Sequence, residues 1–233
     1  MKVLKTIILF IISIVTAILG FLIFALLISL IQQLMLEPKE YIMSVYKDPN
    51  RNLIFIYEIY FIALSFCIFN KSFRNQMNAR LEILMKHKKI LGSFIIINLV
   101  ILYASIFDIS VITQDKIIDY RFLAPQGKTY SYNDIVKIDT GIYGRKSSFI
   151  SSHSKGDFYY VIELKDGNKI DLGDFAGSNS DEDYRFTLER LDKRLVGMNI
   201  DKVSSTANLN DCAENLDKVY VDKIKNILEN IKK

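Results

Sequence analysis

The first half of the chain is dominated by three long runs of apolar residues. No charged residue occurs from Thr6 to Leu36 or from Ile90 to Phe107, and Glu58 is the single charge between Asn52 and Asn70. A helix needs about 20 apolar residues to cross a hydrocarbon core, and the second and third runs are close to this minimum. The pattern predicts three transmembrane helices, near residues 6–36, 52–70 and 90–107.

The first run is long for a single crossing. As a helix, residues 6–36 would measure about 46 Å, so the helix must tilt or its last turns around Gln32 and Gln33 must leave the hydrocarbon. The run is about twice the length of the apolar region of a secretory signal, and no small-residue cleavage motif follows it. A retained helix is therefore predicted.

From Asp108 onward the pattern changes to short segments in which apolar and polar residues alternate. Such alternation is typical of strands with one buried face. Turn residues separate several of the segments, among them Pro125-Gln126-Gly127 and Asp166-Gly167. The predicted strands are Ile109–Thr113, Ile117–Leu123, Thr129–Tyr132, Ile135–Ile142, Phe158–Lys165 and Lys169–Leu172.

Two amphipathic helices are predicted after the strands. The first begins near Asp181, after Ser178 to Ser180 as available caps, and ends at Gly197. The second carries an apolar stripe from Leu216 to Ile231. The fold class that follows is a membrane α-helical domain, residues 1–107, and a soluble α+β domain, residues 108–233, with a C-terminal helical extension.

Charge follows the same division. The net charge of +4 comprises 11 basic and 5 acidic residues in 1–107, and 19 basic and 21 acidic residues in 108–233. The basic excess belongs to loops beside apolar runs, so nucleic acid is not predicted as a partner. The heavy use of Ile, Lys and Asn is typical of an AT-rich bacterial genome.

The basic residues also predict an orientation. The segment Lys71–Lys89 has six basic residues against Glu82, whereas the loop from Glu37 to Arg51 is balanced. Positive loops remain in the cytoplasm, so the N-terminus and the Lys71–Lys89 segment are placed inside. With three crossings, the C-terminal domain is then extracytoplasmic in a multi-pass protein of the cell membrane.

The Lys71–Lys89 segment has a helical pattern of its own. Phe73, Met77, Leu81 and Leu84 recur at helical spacing, with basic residues on the other flank. Such a helix is suited to anionic lipid headgroups or to extending the second span. A solvated helical connector is the alternative interpretation.

Glu58 is the one ionisable residue within a predicted span, and such residues are functional candidates. Asn98 of the third span lies at a similar predicted depth, so the two side chains could form an intramembrane contact. The alternatives are ordinary helix packing, or a carboxylate that reaches the outer interface beside Tyr57 and Tyr60. A single carboxylate without other ionisable residues makes a poor proton relay.

The soluble half resembles bacterial pleckstrin-homology-like domains attached to membrane helices. The likeness covers roughly residues 108–196 and is carried by Gly127-Lys128-Thr129-Tyr130-Ser131-Tyr132-Asn133-Asp134-Ile135, a strand with Ile138, and Tyr160-Val161-Ile162-Glu163-Leu164-Lys165-Asp166-Gly167. It implies a strongly bent antiparallel sheet or barrel of about seven strands, closed at one end by a helix. The chain departs from this pattern in having no Trp and in adding a second helix.

Candidate chemistry in the soluble half is limited to two charged groups. Arg145, Lys146 and Lys155 lie in a basic, hydroxyl-rich loop that could bind an anion, with a solvated hairpin loop as the alternative. The second group is acidic and could hold calcium, although it lacks EF-hand spacing and helix capping is the alternative. Its members are Asp171, Asp174, Asp181, Glu182 and Asp183.

Catalytic and metal-binding motifs are missing from the sequence. His87 and His153 fall in different halves, Cys67 and Cys212 do not suit a disulfide, and no zinc-site spacing occurs. No cofactor is predicted. The leading interpretation is a non-catalytic membrane protein whose soluble domain binds or senses a ligand or protein partner at the membrane. The alternatives are an accessory or immunity-type subunit acting through its spans, and a membrane enzyme using Asp171 or Asp174.

Overall fold

The computed structural model describes residues 2–47, 53–144, 153–214 and 216–231, and the chain divides into two compact units. We call Met1–Met35 with Asn50–Phe107 the helical unit, and Leu36–Pro49 with Asp108–Lys233 the β-rich unit. The stretch between the first two apolar runs therefore belongs with the C-terminal half.

Over its described residues the helical unit contains four α-helices, and two of them are long and apolar enough to cross a membrane. The prediction of three span-length helices holds for the first and third runs and is wrong for the second, which forms only 15 helical residues. That run loses length at both ends, because Leu53 and Ile54 form a 3-10 turn and Asn70 is extended. The helices are α1 (Lys2–Leu36), α2 (Phe55–Phe69), α3 (Lys71–Lys86) and α4 (Lys88–Phe107).

Polar side chains in the apolar helices are satisfied by neighbouring backbone. Gln32 is 2% exposed, and its amide nitrogen donates to the carbonyls of Ser105 (3.0 Å) and Ile106 (3.3 Å). These carbonyls lie in the last turn of α4, where no intrahelical donor is available. Gln32 is thus a contact between α1 and α4.

The basic segment forms the predicted helix, α3. Asn70 caps it by accepting a hydrogen bond from the backbone nitrogen of Phe73 (3.1 Å). Phe73, Met77 and Leu84 of the apolar stripe are half-buried, and Leu81 is exposed. Its binding to anionic lipid remains a prediction.

The β-rich unit contains two separate sheets in place of the predicted single bent sheet or barrel. The first has the order β4-β3-β2-β1-β8 and is antiparallel; the second has the order β7-β6-β5-β9, in which β5 and β9 are parallel. All six strands expected from alternation are present, five of them within about two residues at their ends. The sixth, β4, begins at Ala124, five residues before the predicted Thr129, so Pro125-Gln126-Gly127 lies within the strand and not in the predicted turn. The strands are β1 (Tyr41–Tyr46), β2 (Ile109–Thr113), β3 (Lys116–Arg121), β4 (Ala124–Ser131), β5 (Ile135–Ile142), β6 (Phe158–Leu164), β7 (Lys169–Asp171), β8 (Phe175–Ser178) and β9 (Asp201–Ser204).

Strand β1 lies within Glu37–Arg51, a segment predicted to be a loop. It pairs with β2 on one side and with β8 on the other, so it lies inside the first sheet. Met43 and Val45 are fully buried in the main hydrophobic core. Without β1, residues 108–233 would leave β2 and β8 of the β-rich unit without the strand that joins them.

Three helices complete the β-rich unit: α5 (Tyr184–Gly197), α6 (Leu209–Ala213) and α7 (Lys218–Glu229). Helix α5 is capped by the side chain of Asp183, which accepts from the backbone nitrogen of Arg185 (3.0 Å). Leu188, Leu191 and Leu195 of α5 enter the main core, as expected of a predicted amphipathic helix.

A buried polar cluster joins α5, α7 and β9. The carboxylate of Asp192 accepts hydrogen bonds from Tyr160 (2.8 Å), Lys202 (2.6 Å) and Asn230 (2.7 Å). Both charged side chains are at most 2% exposed. Residues after Gly197, whose role was open in the sequence, thus supply part of the interior.

Candidate functional site

A cleft of about 810 Å³ opens in the β-rich unit where β1, β3, β6 and β7 come together. Its wall combines charged side chains with an apolar surface. The lining residues are Tyr46, Lys47, Asp108, Arg121, Phe122, Leu123, Ala124, His153, Val161, Asn168, Lys169, Ile170, Asp171 and Asp174.

A buried carboxylate, Asp119, organises the charged wall. Its side chain is fully buried and lies 2.5 Å from the ammonium of Lys47. Further donors are Ser110 Oγ (2.6 Å), Arg121 Nε (2.7 Å) and Asn168 Nδ2 (3.0 Å). Asn168 precedes β7, so Asp119 ties the second sheet to the first. We call these five residues the Asp119 cluster.

The local sequence explains this placement. Residues of a strand alternate between its faces, so Asp119 points to the same face as Ile117, and both are fully buried. Lys47 follows β1, and Arg121 ends β3 at the turn to Ala124. The cluster is thus built from strand ends of one sheet and a turn of the other.

The electrostatics favour an ionised carboxylate. Burial raises the pKa of Asp119, but the hydrogen bonds and charges of Lys47, Ser110 and Arg121 outweigh it and leave the pKa below its ordinary value. Nearby Asp108 has the opposite shift, because burial raises its pKa more than Lys47 lowers it. Asp119 therefore serves as the counter-ion of the two cations.

Arg121 keeps part of its hydrogen-bonding capacity. A guanidinium has five donors in a planar fork, and here Nε is bonded to Asp119. Nη2 is buried and has no hydrogen-bond partner among the residues that the structure describes. The Arg121 side chain as a whole is 43% exposed and lines the cleft. Since a donor without a partner is costly, the guanidinium is suited to an acceptor bound in the cleft.

The candidate intramembrane residues occupy neighbouring helices. Glu58 is half-buried in α2, and the Asn98 amide of α4 donates to the carbonyl of Phe94 (2.8 Å). The hydroxyl of Tyr57 donates to the carbonyl of Asn98 (2.8 Å). Tyr57 therefore provides an α2–α4 bond, and the Glu58–Asn98 contact stays a prediction.

The candidate anion-binding loop is described only in part. Arg145 and Lys146 lie outside the described residues. Lys155 is 2.9 Å from the carboxylate of Asp211, so its charge already has a counter-ion.

The acidic residues considered for calcium have structural partners. Asp171 Oδ1 accepts from the backbone nitrogens of Tyr160 (3.0 Å) and Gly173 (2.8 Å), and Glu182 pairs with Arg190 (2.7 Å). Over the described parts of the chain, His, Cys, Asp and Glu form no group that could hold a metal ion. The capping alternative agrees with the cap that Asp183 provides for α5.

Sequence reasoning missed the Asp119 cluster. A signal was available in β3, where an aspartate occupies an inward position two residues after Ile117. The partners of Asp119 could not be inferred, because Lys47 and Asn168 reach it through pairings of distant segments.

Comparison with known proteins does not identify a family: no family model, curated protein or solved structure matches the chain.

Proposed function

We propose that the protein is a non-catalytic, multi-pass membrane protein whose β-rich unit binds a ligand at the membrane surface, in the cleft beside the Asp119 cluster. The observation that carries this proposal is the buried, unpartnered Nη2 of Arg121 next to an apolar wall of Val161 and Ile170. A ligand with an anionic group and an apolar part would satisfy both features.

The membrane assignment is supported by α1 and α4. Their apolar side chains are largely exposed, including Leu26 at 69% and Ile96 at 62%. Exposed apolar surface of this extent favours an apolar environment. Helices of 33 and 20 residues are long enough to cross the hydrocarbon region.

Chain connectivity supports a return crossing by the short helix α2. Because β1 pairs with β2, the chain before α2 and the chain after α4 must lie on one face of the membrane. A crossing by α4 therefore requires one more crossing between β1 and α4. From Leu53 to Phe69 the helical chain covers about 25 Å, close to the hydrocarbon thickness.

The orientation follows from the same three crossings. The positive Lys71–Lys89 segment is proposed to be cytoplasmic, which puts the β-rich unit outside. The resemblance to pleckstrin-homology-like domains stays a proposal too. Strands that precede a helix, as β1–β8 precede α5, are compatible with it, and the separation into two sheets is a departure.

Binding can be tested with the purified full chain in a zwitterionic detergent. The probe is dihexanoyl phosphatidylglycerol, with dihexanoyl phosphatidylcholine as the uncharged-headgroup comparison, and affinity is measured by microscale thermophoresis. We expect preferential binding of phosphatidylglycerol, and at least tenfold weaker binding by Arg121→Gln, which corresponds to about 1.4 kcal/mol.

The matched control is Lys128→Gln. Lys128 is also a surface cation paired with a carboxylate, Asp166 at 2.7 Å, but it is not part of the cleft wall. Its substitution should leave the affinity unchanged. Equal affinity for both lipids, or an unchanged affinity in Arg121→Gln, would contradict the proposed site.

A second candidate is an accessory or immunity-type subunit that acts through its membrane helices. The half-buried carboxylate of Glu58 on the apolar helix α2 favours it, because a partner helix could reach that group. Glu58→Gln should impair this function and leave phosphatidylglycerol binding at the cleft intact.

A further inference from the structure

The turn between β3 and β4 has an unusual sequence. Arg121 pairs with Ala124, so the turn consists of Phe122 and Leu123 alone. Two-residue hairpin turns favour Asn, Asp and Gly, because their central residues often need positive φ. The described non-glycine residues with positive φ are Asn199 and Asn208, so these two turn residues have ordinary φ values.

Both turn residues present apolar surface to solvent. Leu123 is 89% exposed, the highest value among the large apolar side chains of the described residues, and Phe122 is 37% exposed. Turn chemistry does not account for two large apolar residues at this tip. A contact outside the β-rich unit would account for them.

The location of the tip indicates what that contact is. The chain enters and leaves the β-rich unit close to this turn, beside Tyr120. The carbonyl of Leu36, which ends α1, accepts from the hydroxyl of Tyr120 (2.9 Å). The ammonium of Lys47 donates to the carbonyl of Tyr120 (2.5 Å) and is 3.8 Å from the carboxylate of Asp108, which follows α4.

We infer that the Phe122–Leu123 tip inserts into the interfacial region of the same lipid bilayer that the apolar helices cross. Because the chain enters and leaves the β-rich unit beside this turn, we expect this end of the first sheet to lie near the membrane surface. Leucine and phenylalanine at an interface gain from removing apolar area from water, while Arg121, which directly precedes them, adds a positive charge beside the tip. The inference rests on the proposed membrane placement.

The sequence provides a direct optical test, because the chain contains no Trp. Leu123→Trp introduces a single tryptophan at the tip. The protein is reconstituted into phosphatidylcholine vesicles whose acyl chains are brominated or unbrominated, and tryptophan emission is compared. We expect blue-shifted emission that brominated lipid quenches by at least half.

Two further variants serve as references. Gln114→Trp lies at the turn between β2 and β3, at the opposite end of the same strands and roughly 17 Å away, and it should not be quenched. Ile97→Trp lies on α4, where Ile97 is 56% exposed, and it should be quenched strongly. Phe122→Trp replaces the tip reporter if Leu123→Trp does not fold.

Each other outcome overturns the inference. If brominated lipid quenches Ile97→Trp but not the tip variant, only the inference of tip insertion is contradicted. If it quenches neither variant, the proposed membrane placement is contradicted as well. Blue-shifted tip emission that bromine does not quench would indicate a protein partner. Equal quenching of Leu123→Trp and Gln114→Trp would mean that this end of the sheet is not specifically in contact with lipid.

Discussion

At the scale of single residues, the β-rich unit depends on a fully buried carboxylate. Asp119 neutralises Lys47 and Arg121 and bonds to Asn168 of the second sheet. Asp119→Asn removes the negative charge while keeping the shape. Arg121 then loses its paired carboxylate, and half-buried Lys47 keeps only the more distant Asp108, at 3.8 Å. We expect it to lower the free energy of unfolding by about 3 kcal/mol, measured by urea unfolding of the full chain in detergent, followed by near-ultraviolet circular dichroism of the tyrosines.

The control for this substitution is Asp139→Asn. Asp139 also faces a lysine, Lys137 at 4.0 Å, but both side chains are more than 40% exposed. Exposed pairs of this kind contribute about 0–1 kcal/mol. A similar loss for Asp119→Asn and Asp139→Asn would contradict the account of the Asp119 cluster.

Glu189 gives a pH-dependent prediction. Its side chain is 8% exposed and accepts from Lys223 (2.9 Å), Asn226 (2.9 Å) and Lys193 (3.2 Å). Burial raises its pKa, but these donors outweigh burial and lower the pKa from 4.5 to about 2. A pKa that is lower in the folded state stabilises the fold above the unfolded-state pKa, and this stabilisation is lost as the pH falls through the folded-state pKa.

Glu189→Gln should therefore cost about 1–2 kcal/mol at pH 7. The difference from the parent should shrink as the pH falls from 4.5 towards 2, measured as the urea midpoint at several pH values. Glu229→Gln is the control, since Glu229 is 56% exposed and 3.7 Å from Lys225. A parent–Glu189→Gln difference that does not change with pH would show that the charge of Glu189 is not what stabilises α5 against α7.

At the scale of elements, the most specific prediction concerns hydrogen exchange in β1. Its backbone pairs on both sides, and Met43 and Val45 are fully buried. Its amides should therefore exchange with solvent deuterium as slowly as those of β2, and at least a hundredfold more slowly than those of the exposed turn at Asp166-Gly167. Hydrogen-exchange mass spectrometry of the detergent-solubilised chain measures this. Fast exchange across 41–46 would mean that the segment is a loop.

The elements also show what the sequence could and could not predict. Alternation predicted β2, β3, β5 and β6 closely because each is longer than four residues and has a buried face, and turn residues around Asp166-Gly167 indicated the short β7. Strand β9 is short and pairs in parallel with β5, far away in sequence, so no local signal reveals it. Strand β1 has suitable β-branched and aromatic residues, but its position between two apolar runs favoured a loop.

The helices also differ in how well the sequence predicted them. The first and third apolar runs predicted α1 and α4 because apolar composition alone decides a long helix. The second run is 19 residues long, yet α2 has 15. At the start of the run Leu53 and Ile54 form a 3-10 turn, and at its end Asn70 turns away from the helix to cap α3. Local capping chemistry thus overrides apolar length at this end.

At the scale of the whole molecule, two separated parts of the sequence build one folded unit. Leu36–Pro49 and Asp108–Lys233 form it together, although two helices and the Lys71–Lys89 segment come between them. If α4 crosses a membrane, the strand pairing of β1 with β2 requires one more crossing by the chain between β1 and α4. The candidate cleft depends on this arrangement, since Lys47 comes from the first part and Arg121 from the second.

Cysteine accessibility in intact cells tests this arrangement most directly. In a Cys67→Ser, Cys212→Ala background expressed in a bacterial host, single cysteines replace Lys39, Asn78 or Asp115, all of which are exposed. They report on the segment before β1, on α3 and on the turn after β2. A membrane-impermeant maleimide should label positions 39 and 115 in intact cells, and position 78 only after permeabilisation. Labelling of 39 and 115 from opposite sides would contradict the one-sided folded unit, and labelling of both only after permeabilisation would contradict its extracytoplasmic location.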